Sequence, residues 1–338
     1  MILANGHSTQ YLTDLTDGKI PMGLGLGCEL DLHLRFKFQQ LNFFLGHDNV
    51  GKSYFMKWYF LALATQHGLT FTLFMDEDYH GRVMRDLIQM YTAKDYRALT
   101  HKEVRRAEMK IESLFKFIDN SKRYEPKELT DIFLESKTDV LLIDPWNSMK
   151  TDLSYGTNYE VLNDLKMITK NENKTIYANL HPHSASGRQG AVYPKDHQWS
   201  GQVRLPMKSD AEGGKPFANK ADDFVVVHRL TSHPDLWKMT MLEVVKVKDT
   251  DTGGKPTLFE TPIMLDYNFG HGFLVGMEKR DVIRRPNPPT AKPLPEVKVD
   301  AVASFKPDFD NERQLPPKDR INYDVWDGIN KSVGYGID

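Results

Sequence analysis

Eight consecutive residues, Gly46-His47-Asp48-Asn49-Val50-Gly51-Lys52-Ser53, satisfy the phosphate-binding loop pattern G-x-x-x-x-G-K-[ST]. Glycines at both ends let the backbone curl until successive amides and a helix N-terminus point at one anion. In that geometry Lys52 neutralises the β and γ phosphates of a nucleoside triphosphate, and the Ser53 hydroxyl holds Mg²⁺. Asp144 closes the apolar run Asp139-Val140-Leu141-Leu142-Ile143-Asp144 and is the matching carboxylate for the metal. The run Phe71 to Met75 ends in Asp76-Glu77-Asp78, where Glu77, and after it Asp76, is the candidate to orient the attacking water or take its proton. His181 follows a third apolar run, Thr175 to Leu180; a polar group there can bond the γ phosphate and report it to the next segment. These residues predict a P-loop nucleoside triphosphatase using ATP and Mg²⁺.

Such side chains need a framework that brings strand ends together. Leu41 to Leu45 reads as a buried strand and 52 to 66 as a helix. The alternation continues with a strand over 69–75, a helix over 81–91, a helical insertion, a strand over 139–143, a helix near 158–171 and a strand over 175–180. That order predicts an α/β fold with a central, mostly parallel sheet flanked by helices. Thr100-His101-Lys102-Glu103 fits a capping box, opening a helix expected to run through Phe117; its Lys102, Arg105, Arg106 and Lys110 read as a solvated face. Beyond residue 223, Phe224 to His228, Met239 to Val247 and Pro262 to Tyr267 predict strands that pair locally as a C-terminal antiparallel extension. The expected organisation is an N-terminal segment 1–38, an ATPase core 39–280 and a proline-rich flexible tail 281–338. Within the tail, Tyr323 to Ile329 reads as a docking peptide or a strap.

The balance of 44 basic against 46 acidic residues rules out a globally basic nucleic-acid binder, so any such contact must come from local patches or a ring of subunits. Between Pro182 and Lys220, the spaced cations Arg188, Lys195, Arg204 and Lys208 suit contacts to a phosphate backbone. The single cysteine, Cys28, excludes a disulfide framework and a multi-cysteine zinc ribbon. With no apolar stretch of membrane-spanning length and no leader pattern, the expectation is a soluble cytoplasmic protein without a membrane partner.

Seven blocks, in order, resemble the RecA-type core of superfamily-4 ring helicases, especially bacteriophage replicative helicases related to DnaB and Twinkle. They are Gly46 to Ser53, Phe74-Met75-Asp76-Glu77, Leu141-Leu142-Ile143-Asp144-Pro145-Trp146-Asn147, Asn179-Leu180-His181-Pro182, Asn219 to Arg229, Glu243 to Lys248 and Leu265-Asp266-Tyr267-Asn268. The resemblance covers roughly residues 20 to 276. It implies a RecA-like P-loop core in a homo-oligomeric ring, usually a hexamer, with ATP between neighbouring subunits and single-stranded DNA through the centre. The activity implied is ATP-dependent unwinding in phage-type DNA replication, in the host cytoplasm. Arg229 and Tyr267 match positions that sandwich the base, and Lys246 and Lys248 match a basic pair reaching into the neighbour's site. The second of that pair is usually arginine; lysine brings charge without a planar fork. No primase domain precedes the core, and the segment before residue 40 is too short for the bacterial collar domain, so a primase would be another chain. The tail is the expected contact for such a replisome partner, polymerase or primase. Three rival readings remain open at this point: a RecA-like DNA-binding ATPase that forms filaments or remodels complexes without unwinding, a small-molecule kinase, and a non-catalytic subunit retaining the fold.

Overall fold

The computed structural model describes residues 7–19, 23–152, 154–183, 192–258 and 260–284. The chain divides into a unit spanning Met1–Pro289, which holds every described residue, and a second spanning Thr290–Asp338. The stretch Tyr323 to Ile329 therefore lies outside the described residues.

The strands are β1 (Leu41–Leu45), β2 (Phe71–Met75), β3 (Phe115–Phe117), β4 (Val140–Asp144), β5 (Thr175–Leu180), β6 (Asp223–Arg229), β7 (Met239–Val247), β8 (Ile263–Tyr267) and β9 (Phe273–Val275). They form one sheet in the order β3-β2-β4-β5-β1-β6-β7-β8-β9. Pairing is parallel from β3 to β6 and antiparallel from β6 to β9. The helices are α1 (His7–Thr16), α2 (Lys52–His67), α3 (His80–Thr92), α4 (His101–Leu114), α5 (Pro126–Ser136), α6 (Tyr155–Asn171), α7 (Lys215–Lys220) and α8 (Thr250–Gly253).

Every residue of β1, β2, β4 and β5 is buried, as expected of parallel strands covered on both faces. On one face α2 is apolar all round, and each of its residues from Phe55 to Ala64 is buried. Its Phe60 stacks on Phe71 of β2 at 4.6 Å, and Phe71 stacks on Phe115 of β3 at 5.3 Å. On the other face Phe43, Trp146 and Phe217 meet edge to face, fixing α7 over β1. Leu26, Leu30, Leu34 and Phe36, from the glycine-rich N-terminal part, join the core on the α2 side.

One expected boundary is corrected. The capping box at Thr100 and Glu103 is present, but α4 stops at Leu114 and Phe115–Phe117 forms the edge strand β3. Phe115 is buried against Phe71 while Lys116 is exposed, a period of two that a helix cannot supply. Lys102, Arg105, Arg106 and Lys110 are exposed.

Parallel strands end at one edge, and the register is tight: Leu45 pairs with Leu180 and Val226, and Met75 with Asp144. The residues that follow, Gly46, Asp76 and His181, therefore emerge at the same edge as Asp144. Gly46 is pinned there, because a Cβ on it would lie 2.3 Å from the Val227 carbonyl oxygen of β6. We expect Gly46→Ala to force the loop away from β6 and lower stability by about 1–3 kcal/mol, read by denaturant unfolding. An unchanged midpoint would show that the loop is not held by this contact.

Candidate nucleotide site at the carboxyl edge of the sheet

The loop runs from the end of β1 directly into α2. Asn49 (φ 59) and Gly51 (φ 94) both adopt left-handed backbone, which turns the chain sharply into the helix. A Cβ at Gly51 would meet nothing within 4 Å, so glycine is required there by conformation rather than by space. Lys52, the first residue of α2, is only 6% exposed. Its ammonium donates to the carbonyls of Gly46 (2.7 Å) and His47 (2.9 Å). Burial lowers its pKa, and the carboxylates of Asp144, Asp48 and Glu77 oppose that shift. A cation is thus held across the mouth of a ring of amides, faced by three acids.

Asp144 ends β4 with its side chain buried. Burial pushes its pKa up, while Ser53, Asn179 and Lys52 pull it back. The Asn179 amide lies against this carboxylate without a well-formed hydrogen bond, and neither of its polar atoms has a partner. A buried carboxylate, an adjacent hydroxyl and an unpartnered amide form a donor set that fits a hard cation retaining several waters. Ser53 and Asp144 are brought together as such a set. Among the described residues no three His, Cys, Asp or Glu side chains gather into an all-protein metal cage.

His181 joins the loop to the acidic turn. Its Nδ1 lies 2.9 Å from Asp48 Oδ1, and its Nε2 lies 3.9 Å from Glu77 Oε1. Glu77 is 71% exposed and lines the cleft, as does Asp78. Asp76 uses its backbone N–H to bond the Asp144 carbonyl at 3.0 Å, and its side chain is not among the lining groups. Two residues that sequence reasoning missed hold this turn. Asn120 donates to the carbonyls of Met75 (2.7 Å) and Asp78 (2.9 Å). Lys57, buried in α2, donates to Asp78 (3.2 Å) and to Asp86 of α3 (2.8 Å). A lysine amid an apolar helix was the available signal for Lys57; nothing local marks Asn120.

The cleft encloses about 500 Å³, a volume suited to a nucleotide. Its outer wall carries Arg229 and Tyr267, with the guanidinium 5.9 Å from the ring centroid. Arg229 also donates to the Asn49 carbonyl at 3.3 Å, tying β6 to the loop. Tyr54 meets Tyr267 edge on at 5.2 Å, and its hydroxyl accepts from the Gly272 N–H at 2.9 Å.

No protein-family model matches the sequence, and no curated protein does. Solved structures do match in shape. The ATPase domain of a phage helicase aligns with a TM-score of 0.64 at 12% identity, over 81% of this chain and 99% of that one. A DnaB-like replicative helicase, solved in a study of its interactions with primase, aligns with a TM-score of 0.63 at 13% identity, over 80% of this chain and 68% of that one. This chain has the fold of the ATPase domain found in DnaB-like replicative helicases.

Within this DnaB-type fold, Lys246 and Lys248 lie at the opposite edge of the sheet from the cleft. Lys246 donates to the Ala218 carbonyl at 3.0 Å. Lys248 is 60% exposed and pairs at 3.2 Å with buried Asp222, which also pairs with Lys166 and accepts from the Leu41 N–H where β1 begins. Neither lysine lines the cleft of its own chain. Of the cations expected to meet a phosphate backbone, Lys195 and Lys208 are exposed, Arg204 is half-buried, and Arg188 lies outside the described residues.

Because Lys52 bonds two loop carbonyls and is costly to bury, Lys52→Ala should leave the fold intact while removing nucleotide hydrolysis. Circular dichroism and phosphate release check the two halves, and undiminished turnover would place the chemistry elsewhere.

Proposed function

We propose that this chain is an ATP-dependent DNA helicase motor of the phage replicative type, working as a homo-oligomeric ring on single-stranded DNA in the cytoplasm. One observation carries the reading. Lys52, Ser53, Asp144, Glu77 and His181 converge at one edge of the sheet, while the basic pair Lys246 and Lys248 projects from the other. Head-to-tail packing of copies would complete each site with the next chain's lysines, and a heterologous contact of that kind forms a ring when its rotation closes and a filament when it does not.

Lys52 would exchange its two loop carbonyls for β and γ phosphate oxygens, and the loop amides would cradle the same groups. Mg²⁺ held by Ser53 and Asp144 would bridge those oxygens and neutralise developing charge. Glu77, exposed in the cleft and 3.9 Å from His181 Nε2, would accept a proton from the attacking water, on a turn held in place by Asn120 and Lys57. The base would sit on the outer wall with Arg229 and Tyr267. His181 reaches the DNA segment through backbone bonds: its carbonyl accepts from the Glu212 N–H, and the neighbouring His183 N–H donates to Asp210, both at 2.8 Å. A shift of the imidazole on γ-phosphate loss would move the segment bearing Lys195, Arg204 and Lys208. The core would span residues 39–280, with the tail meeting a polymerase or primase.

Strand separation on a forked duplex with ATP tests unwinding, and its absence beside DNA-stimulated hydrolysis would favour a filament-forming or remodelling ATPase. For the acid, we expect Glu77→Gln to bind ATP normally and hydrolyse it on the order of a hundredfold more slowly. Asn120→Ala should slow turnover roughly tenfold by loosening the turn, with affinity little changed. If Asp76→Asn shows the larger loss instead, the two acids exchange roles.

For the trans pair, Lys52→Ala and Lys248→Ala should each be nearly inactive alone. Mixed, they should regain partial DNA-free turnover, since some interfaces would combine an intact loop with an intact neighbouring lysine. Lys248→Arg should match or exceed wild type, a guanidinium offering forked donors to the transferred group. Normal hydrolysis by Lys248→Ala would leave that lysine a surface residue.

A further inference from the structure

His228, the penultimate residue of β6, is 2% exposed and plays no part in the chemistry described so far. Its Nε2 lies 2.9 Å from the Val203 carbonyl, which fixes the proton on that nitrogen and leaves Nδ1 without a partner. Burial lowers its pKa to about 4, so the ring is neutral near pH 7. His47 of the phosphate loop meets it edge on at 6.1 Å, faces the backbone of Arg204, and likewise has an unpartnered nitrogen, Nε2. Packing alone does not call for two imidazoles here, because a buried polar atom without a partner costs free energy that leucine would avoid.

The segment around Val203, which bridges Val192, is anchored on both sides. Tyr193 and Trp199 pack with Leu230 and Met241, and Asp210 and Glu212 bond the backbone beside His181. Between these anchorages, residues 203 and 204 meet the nucleotide site through the two rings, and the cations Arg204 and Lys208 lie at and just beyond this contact.

We propose that His228 is a positioning residue which, with His47, latches the backbone at Val203 and Arg204 to the phosphate loop, giving the DNA segment a second coupling route independent of His181. This rests on the ATPase and single-stranded DNA reading above.

Three variants of the full chain test it. His228→Leu keeps bulk and deletes the donor, His228→Gln restores an N–H of similar reach, and His228→Asn is polar but too short. In nucleotide-free protein, hydrogen exchange over residues 203–206 should quicken about tenfold in the Leu and Asn variants and stay near wild type in Gln, with residues 46–53 unaffected. DNA-free ATP turnover should remain within about twofold of wild type, while stimulation by oligo-dT falls at least roughly fivefold in Leu and Asn and returns in Gln. The asparagine variant carries the test should the leucine variant fail to fold. Unchanged exchange, a Gln variant as defective as Leu, or a parallel loss of DNA-free turnover would each overturn the latch. A wild type that oligo-dT does not stimulate would instead sink the DNA reading, while the exchange data still decide whether the latch exists.

Discussion

The parallel register of β1, β2, β4 and β5 is the constraint on which the site depends. Met75 opposite Asp144 and Leu45 opposite Leu180 bring four strand ends level, so that an acidic turn, a buried carboxylate, a glycine loop and a histidine face one cleft. A strand slipped by one residue would move its functional group by about 3.3 Å and turn its side chains to the opposite face. Packed aromatics guard against that slip. Phe60, Phe71 and Phe115 on one face and Phe43, Trp146 and Phe217 on the other leave little freedom to rearrange.

Buried charge is treated differently at the two edges. At the amino edge Asp222 is matched by Lys166, Lys248 and the Leu41 N–H, while Asp223 pairs with Lys37 at 3.2 Å through Oδ1 and leaves Oδ2 without a partner. At the carboxyl edge compensation is partial. Asp144 is buried beside an amide with no partner, and Lys52 spends its protons on loop carbonyls that a phosphate can replace. Unused polar capacity in a low-dielectric site is what draws an anion and a hard cation into it.

Much of this was legible in the sequence because the determining patterns are local. The loop needs glycine at fixed spacing, and buried parallel strands need unbroken apolar runs, so Gly46 to Ser53, β1, β4 and β5 could be read directly. What could not be read depends on distant partners. Asn120 follows an edge strand that looked like the end of a helix, and it reaches the acidic turn only after β3 docks on β2. Lys57 and His228 look like interruptions of apolar runs until Asp78, Asp86 and the Val203 carbonyl arrive from elsewhere in the chain. The strand β9, three residues long, has too few positions to show a period.

The lysine at position 248 illustrates how magnitudes decide between a structural and a functional role. Its partner Asp222 is buried, but Lys166 and a backbone N–H already satisfy the second carboxylate oxygen, Oδ2. Lys248 engages Oδ1 from a position that is 60% exposed. Because Asp222 is buried, releasing Lys248 leaves Oδ1 without that partner, which costs more than parting a surface pair. Lys166 still neutralises the carboxylate when the ammonium swings away. The trans role we propose for Lys248 needs that freedom: a side chain resting on its own subunit, with four rotatable carbons of reach, released when a neighbour presents negative charge. An arginine held in a bidentate fork to the same carboxylate would be harder to release. In the trans role proposed above, lysine in place of arginine would exchange a stronger finger for a more easily detached one.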